Sequence, residues 1–186
     1  MRLHLMLIPV LLLLGACQTT QLDRDFDPNR DFAAYRSWSW QEPAVQYRPD
    51  DPRLKSDLTE QRIRAAIGEQ LDQRGLRPAP GGATGDLEVQ AWLIVDRRQD
   101  QVTSHYGGYW GGPWHGYWGG PVYSETRTLD YRVGTLQIDL YDSKDGKLVW
   151  RGSGERTLRG SQANPSERST QIRETVAKIL SQYPPH

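Results

Sequence analysis

Two histidines of a glycine-rich segment are among the few side chains whose type and spacing suit metal binding or catalysis. His105 and His115 lie ten residues apart, and two imidazoles could share one metal ion. A metal site needs a third ligand, and no carboxylate lies between them. The sequence also lacks the His-Glu-x-x-His, P-loop and Gly-x-Ser-x-Gly motifs. We therefore expect no metal, no cofactor and no catalytic residue.

Four carboxylates form a second candidate group close to the last predicted hairpin: Asp139, Asp142, Asp145 and Glu155. They alternate along a strand and a turn, and this pattern is typical of a solvated face. A buried acid–base pair cannot be recognised from sequence, so a hydrolase whose site is hidden in this way remains the least favoured hypothesis.

The most unusual segment is an insert at 105–121, in which seven of 17 residues are glycine and six are tryptophan or tyrosine. The run Tyr-Trp-Gly-Gly-Pro occurs twice, at 109–113 and 117–121. So many glycines make an ordered backbone entropically costly, whereas the aromatic rings are rigid and amphipathic. We therefore predict a contact loop, whose candidate contact residues are Tyr106, Tyr109, Trp110, Trp114, Tyr117 and Trp118.

Four interpretations of this loop remain open. It is a flexible or self-packed extension without a ligand, or it contacts another protein or a membrane interface, where tryptophan and tyrosine are favoured. It could also stack on sugars of peptidoglycan or another glycan. Metal binding is the weakest of the four.

The N-terminus has the pattern of an export signal. Arg2 is followed by an apolar run from Leu5 to Leu14, which as a helix spans about 15 Å, half of a bilayer core. It is too short for a stable transmembrane helix and suits a secretory signal peptide.

The four residues Leu14-Gly15-Ala16-Cys17 resemble the lipobox of bacterial lipoproteins. The resemblance implies a signal peptide of residues 1–16, cleavage between Ala16 and Cys17, and acylation of Cys17 with palmitate-type chains. Gln18 in place of an aspartate then favours the outer membrane over retention in the inner one. The polar residues up to 25 are predicted to form a lipidated tether, 17–25, that leads to a domain facing the periplasm.

Composition limits the remaining possibilities. Lys plus Arg and Asp plus Glu both number 23, and a neutral chain argues against nucleic-acid binding. The content of 37% hydrophobic and 25% charged residues fits a single folded domain, 26–186.

Hydrophobic periodicity predicts the order β-α-β-β-β-α. The expected elements are a strand at 35–40, a loop at 41–52, a helix at 53–74, strands at 86–96, 123–141 and 147–158, and a helix at 165–182. Asp51 is the expected cap of the first helix, and Asn164 with Glu167 the expected capping box of the second. Gly75 followed by Leu76 is expected to end the first helix in a Schellman contact with Leu71. A change of apolar parity predicts a β-bulge at Gly134, and a hairpin turn is expected at 142–146.

Two amphipathic helices must bury their apolar stripes. The predicted fold class is therefore α+β, a two-layer sandwich with a four-stranded, mostly antiparallel sheet and both helices on one face. Trp150 lies in the middle of a predicted strand and should pack beneath a helix.

Several segments resemble a family of bacterial lipoproteins called domain of unknown function 4136. The resemblance rests on Tyr35 to Trp40, Asp86-Leu87, Tyr131 to Leu136, Leu148 to Gly152 and the terminal Tyr183-Pro184-Pro185. It covers most of 26–185 and supports the fold and the lipoprotein address. The family has no established activity, so the resemblance implies no chemistry.

We therefore expect a non-enzymatic, lipid-anchored protein of the outer membrane that acts by binding or assembly. Its expected partners are the membrane, through Cys17, and envelope proteins, through the aromatic loop. The alternative is a glycan-binding module that uses the same loop.

Overall fold

Six strands and two α-helices make up the part of the chain that the structure, a computed structural model, describes: residues 20–106, 123–158 and 164–185. The elements are β1 (Gln21–Phe26), β2 (Ser37–Arg48), α1 (Asp57–Gln73), β3 (Arg77–Pro78), β4 (Leu87–Tyr106), β5 (Tyr123–Asp142), β6 (Leu148–Leu158) and α2 (Pro165–Leu180). The predicted mixed α+β fold with two helices is confirmed.

The sheet has six strands in the order β1-β6-β5-β4-β2-β3, so the predicted four-stranded sheet is wrong. The short strand β3 adds to one edge, where it pairs with the start of β2. Strand β1 adds to the other edge and runs antiparallel to β6. Because β1 contains residues 21–25, the segment predicted as tether is largely part of the sheet.

Both helices cover the same face of the sheet. Val89 of β4, Ile138 of β5 and Trp150 of β6 are fully buried on this face, in one hydrophobic cluster with Ile67 of α1 and Ile179 of α2. The expected place of Trp150 beneath a helix is confirmed. Its indole passes over Gly152, where an added Cβ would lie 2.3 Å from ring atom Cη2.

The helix ends differ in how well the sequence predicted them. At α2, Asn164 and Glu167 form the expected capping box. The predicted start of the first helix at 53 is wrong, since α1 begins at Asp57 and its cap is Ser56. The expected cap, Asp51, lies outside the helix and binds the guanidinium of Arg53, a contact that lowers the pKa of Asp51 to about 2. The C-terminal Schellman bond from Leu76 N–H to the Leu71 carbonyl is present at 3.1 Å.

The predicted loop at 41–52 is wrong for most of its length, since β2 continues to Arg48. The register between β2 and β4 shifts between Trp40 and Val45. Pro43 lies in this shift, where no ladder hydrogen bond is required of it. Ala44 and Val45 beyond it are buried.

The predicted β-bulge at Gly134 is also wrong. The register of β5 passes through Gly134 unbroken on both sides and shifts only between Leu140 and Tyr141. The apolar parity changes for another reason: Leu136, Ile138 and Leu140 face the helices, whereas Leu129 lies on the opposite parity and is exposed. The expected turn is present, with Gly146 at φ 67°.

Candidate functional site

Strands β4 and β5 extend beyond the rest of the sheet as a two-stranded ribbon. The last pair between β2 and β4 is Arg48 with Ile94, and the last between β6 and β5 is Leu158 with Arg132. We call the ribbon beyond these pairs, residues 98–106 with 123–131, the arm. At about 3.3 Å per residue it is roughly 30 Å long.

The arm leads to the predicted contact loop. Tyr106 is the last described residue of β4 and is paired with Tyr123. The other candidate contact residues, which are Tyr109, Trp110, Trp114, Tyr117 and Trp118, lie outside the described residues. His115 lies outside them as well, whereas His105 is exposed on the arm. The structure therefore shows what carries the loop rather than the loop's own contacts.

The two faces of the arm differ in polarity. One carries Val102 and Leu129, which are 46% and 52% exposed. The register places Gln101, Thr103, Thr126 and Thr128 on the other face, where the Thr103 and Thr126 hydroxyls lie 3.1 Å apart. The arm thus offers a partly apolar face and an entirely polar one.

The chain enters the sheet at the end from which the arm projects. Gln21 pairs with Glu155, Glu155 with Thr135 and Thr135 with Ile94, so these four residues form one row across the sheet. Strand β1 runs from this row towards Phe26 at the opposite end. Gln21, the first residue of β1, therefore lies at the end of the sheet from which the arm projects.

The sheet face opposite the helices, which we call the outer face, contains a fully buried carboxylate. Asp139 accepts two hydrogen bonds from the Arg151 guanidinium, both of 2.7 Å. Gln137 donates to the same carboxylate at 3.0 Å, and the Tyr141 hydroxyl lies 3.3 Å from it. The bond to Asp139 raises the pKa of Arg151, and burial raises the pKa of Tyr141.

A second carboxylate group ties the turn between β5 and β6 to the segment after β1. Asp142 is buried and accepts bonds from Arg30 at 2.9 Å and from the Tyr35 hydroxyl at 3.0 Å. Arg30 also donates to Asp145 at 2.6 Å, which lowers the pKa of Asp145. Burial, followed by the bond to Asp142, raises the pKa of Tyr35 to about 12.

The predicted solvated face is therefore wrong for Asp139 and Asp142, which are buried. The structure separates the four carboxylates into three groups, and each carboxylate has an arginine partner, Glu155 being paired with Arg98 at 2.6 Å.

A concave feature that sequence reasoning missed lies between the two helices and the sheet. It is a cleft of about 200 Å³, and its lining includes Ile63 of α1, Ile172 of α2 and Leu93, Leu136 and Leu158 of the sheet. The lining is mainly apolar, so the cleft is suited to an apolar group. The helix stripes were visible in the sequence, but the space between them depends on how the helices sit on the sheet.

In residues 20–106, 123–158 and 164–185, no three His, Cys, Asp or Glu side chains are grouped so that they could hold a metal ion. None of the helices in these ranges has the length and apolar character needed to cross a bilayer.

A sequence model of the family described as "Domain of unknown function (DUF4136)" matches residues 22–185. The chain belongs to the DUF4136 family. This confirms the resemblance seen in the sequence. A search of curated proteins finds no match to this DUF4136 chain.

Solved structures share the fold of this DUF4136 protein at low sequence identity. A PDZ domain protein from Parabacteroides distasonis is 15% identical with a TM-score of 0.55, over 89% of this chain and 35% of that one. The chain thus spans about a third of that protein. A DUF4136 family protein from Bacteroides thetaiotaomicron is 20% identical with a TM-score of 0.49, over 89% and 96% of the two chains. The PelC dodecamer from Paraburkholderia phytofirmans is 15% identical with a TM-score of 0.46, over 88% and 95%.

The residues that carried the DUF4136 resemblance have structural contacts in this chain. Asp86 accepts hydrogen bonds from the backbone N–H groups of Arg36 and Ser37 and from the Ser37 hydroxyl, each of 2.9 Å. These bonds lower the pKa of Asp86 and fasten the start of β2 to the start of β4. Trp150 lies in the core with its ring 5.6 Å from that of Tyr183, edge to face.

Proposed function

We propose that this DUF4136 protein is a lipid-anchored envelope protein that acts by binding or assembly. In this proposal residues 1–16 direct export, acylated Cys17 holds the protein at the outer membrane, and the domain faces the periplasm. The arm and the aromatic loop beyond it make the contacts with partners.

The observation that carries the proposal is the exposure of the arm. Of its side chains that the structure describes, only Ser104 and Tyr131 are half-buried, and the others are exposed. A two-stranded ribbon without a packed face is marginally stable by itself in water. A ribbon of roughly 30 Å that adds nothing to the core is well suited to present a contact surface at a distance from the domain.

The four carboxylates near the last hairpin support a binding role rather than a hydrolytic one. Each is paired with an arginine, so their charges serve to hold strands and loops together. The alternative function is a glycan-binding module in which the tryptophan and tyrosine rings of the loop stack on peptidoglycan. Pull-down with purified peptidoglycan, using the wild type and a variant lacking 106–120, separates this alternative from protein binding.

The anchor is tested by Cys17→Ser. We expect the variant to remain an uncleaved precursor and to take up no radioactive palmitate, because the acceptor thiol is gone. Wild-type labelling of the variant would contradict acylation at this residue.

The contact role of the arm is tested by photo-crosslinking in cells. A photoreactive residue replaces Gln99 on the arm or, as the matched control, Gln61 on α1; both glutamines are exposed. We expect a captured species at position 99 that is absent at position 61 and is identified by mass spectrometry. Equal capture from both positions would contradict a specific role of the arm.

A further inference from the structure

The start of β1 limits how far the arm can be from the membrane anchor. Gln21 lies in the same row of the sheet as Ile94, because Gln21 pairs with Glu155, Glu155 with Thr135, and Thr135 with Ile94. From Ile94 to Tyr106 strand β4 continues for roughly 40 Å, at about 3.3 Å per residue. The tether that remains after β1 is accounted for is residues 18–20. Fully extended from Cys17 to Gln21, it reaches at most about 14 Å.

The arm leaves the sheet at the level of Gln21, and it is far longer than the greatest reach of the short tether. If the strands pointed straight at the bilayer, the end of the arm would extend about 25 Å beyond the reach of the tether, most of the thickness of a hydrocarbon core. Polar strands with unpaired edges do not enter lipid, because their backbone groups would lose hydrogen bonds. A straight arm can therefore tilt towards the bilayer by no more than about 20°. Tilt away from the bilayer is limited to about 40°, because β4 continues for about 23 Å on the other side of Ile94, to Leu87.

The side chains of the arm distinguish the face that would meet the lipid. Val102 and Leu129 are exposed on one face, and nothing on the opposite face of the described arm is aliphatic. Two ion pairs lie on or beside this face, Arg127 with Glu125 at 2.8 Å and Arg98 with Glu155 at 2.6 Å. The remaining carboxylate of the face, Asp100, lies opposite Leu129 and accepts a hydrogen bond from the Tyr131 hydroxyl. Paired charges and apolar side chains are both suited to the headgroup boundary, where an unpaired charge would be less favourable.

We propose that the arm lies along the surface of the membrane that holds Cys17, with its Val102 and Leu129 face towards the lipid. This inference rests on the proposed lipid anchor. It commits to a lipid surface as the partner of this face and leaves the polar face, which carries Gln101 and Thr103, open to the periplasm.

The test uses the acylated full-length protein in vesicles of phosphatidylethanolamine and phosphatidylglycerol. Cys17 is the only cysteine and is consumed by acylation, so an introduced cysteine is a unique site for an environment-sensitive fluorophore. The variants are Val102→Cys on the apolar face, Gln101→Cys on the opposite face as the matched control, and Lys144→Cys in the turn at the other end of the sheet. Quenching by lipids that carry bromine or nitroxide groups on their acyl chains reports contact with the bilayer.

We expect quenching at position 102 to exceed quenching at position 101 several-fold and to be absent at position 144. Flotation of the vesicles is measured first, because protein that does not float contradicts the lipid anchor itself. Floating protein with no more quenching at 102 than at 144 overturns the inference while the anchor stands. Protection of position 102 that depends on protein density and gives disulfide-linked pairs would assign this face to a second copy of the chain, which also overturns it.

Discussion

Strands β4 and β5 run without a break from the body of the sheet into the arm, but the two regions are stabilised differently. In the body, Val89 and Ile138 are fully buried beneath the helices. In the arm, Val102 and Leu129 are exposed, and among the described strands the two pair only with each other. At the base of the arm, Arg98 forms an ion pair with Glu155 of β6 in the body. The body therefore depends on burial of apolar area, whereas the arm depends on ladder hydrogen bonds and a few surface contacts.

The two halves of the same hairpin therefore contribute differently to the stability of the domain. A region that contributes little to the core can change its surface without unfolding the domain, and it can bend or tilt towards a partner. We expect substitutions in the body to alter stability and substitutions in the arm to alter binding. Four experiments test that division, in order of decreasing expected effect.

The largest effect is expected for Trp150→Ala. The indole is fully buried, and removal of such a side chain lowers the free energy of unfolding by about 3–5 kcal/mol. Urea denaturation of the purified domain measures the change. Leu129→Ala in the arm is the control and should stay within about 0.5 kcal/mol of the wild type. Equal effects of the two substitutions would remove the distinction between body and arm.

A smaller loss is expected for Asp139→Asn, which keeps the size of the side chain and removes the charge from a buried pair. Arg151 is 41% exposed, so its guanidinium can regain contact with water. We therefore expect a loss of about 1.5–3 kcal/mol, the range of a hydrogen bond to a charged group, by the same urea method. Glu125→Gln breaks the exposed pair with Arg127 on the arm and should leave the unfolding midpoint unchanged. A similar loss in both variants would show that the arm also depends on its ion pairs for folding.

The third effect depends on pH and concerns the far end of the body. Three hydrogen bonds lower the pKa of Asp86 from its usual value of 3.8, so the folded state binds fewer protons than the unfolded state. The resulting stability is present above about pH 4 and is lost as the pH falls through the lowered pKa. Asp86→Asn should cost about 1 kcal/mol at pH 7, and its difference from the wild type should shrink at pH 2.5. A difference that stays constant with pH would mean that the charge of Asp86 is not what stabilises this contact.

The smallest effect on stability is expected when the loop at 106–120 is deleted. The pairs of the body, which end at Arg97 with Arg132, are separated from the insert by the arm, so a shorter connection between the strands should suffice. Circular dichroism and the urea midpoint should match the wild type within about 0.5 kcal/mol, while complementation of a null strain should be partly lost. An unfolded variant would place the loop's aromatic side chains in the core, and full complementation would favour an extension without a ligand.

Much of the fold could be predicted from local patterns. Apolar alternation marked β4, the capping box marked the start of α2, and Gly75 with Leu76 marked the end of α1. Each of these signals lies within a few residues of the structure that it determines. The unusual composition of the insert at 105–121 marked the segment that the far end of the arm carries.

No comparable local pattern marked strand β1. Gln21 to Asp25 are all exposed in this edge strand, and they show no alternation of apolar and polar residues. Their backbone pairs with β6 all the same, and this pairing places the N-terminal chain at the end of the sheet from which the arm projects. The partner of Asp139 was equally hidden, because Arg151 lies on the neighbouring strand and the register alone brings the two together.

Sequence alone was enough to locate the amphipathic segments, both ends of α2 and the end of α1 to within a turn, and the segment rich in glycine and aromatic residues. Those properties depend on side-chain type and local backbone hydrogen bonds. The burial of particular carboxylates, the length of the arm and the side of the sheet on which the chain enters became visible only in the folded structure. These depend on strand register and order, which are fixed by contacts between residues far apart in the chain.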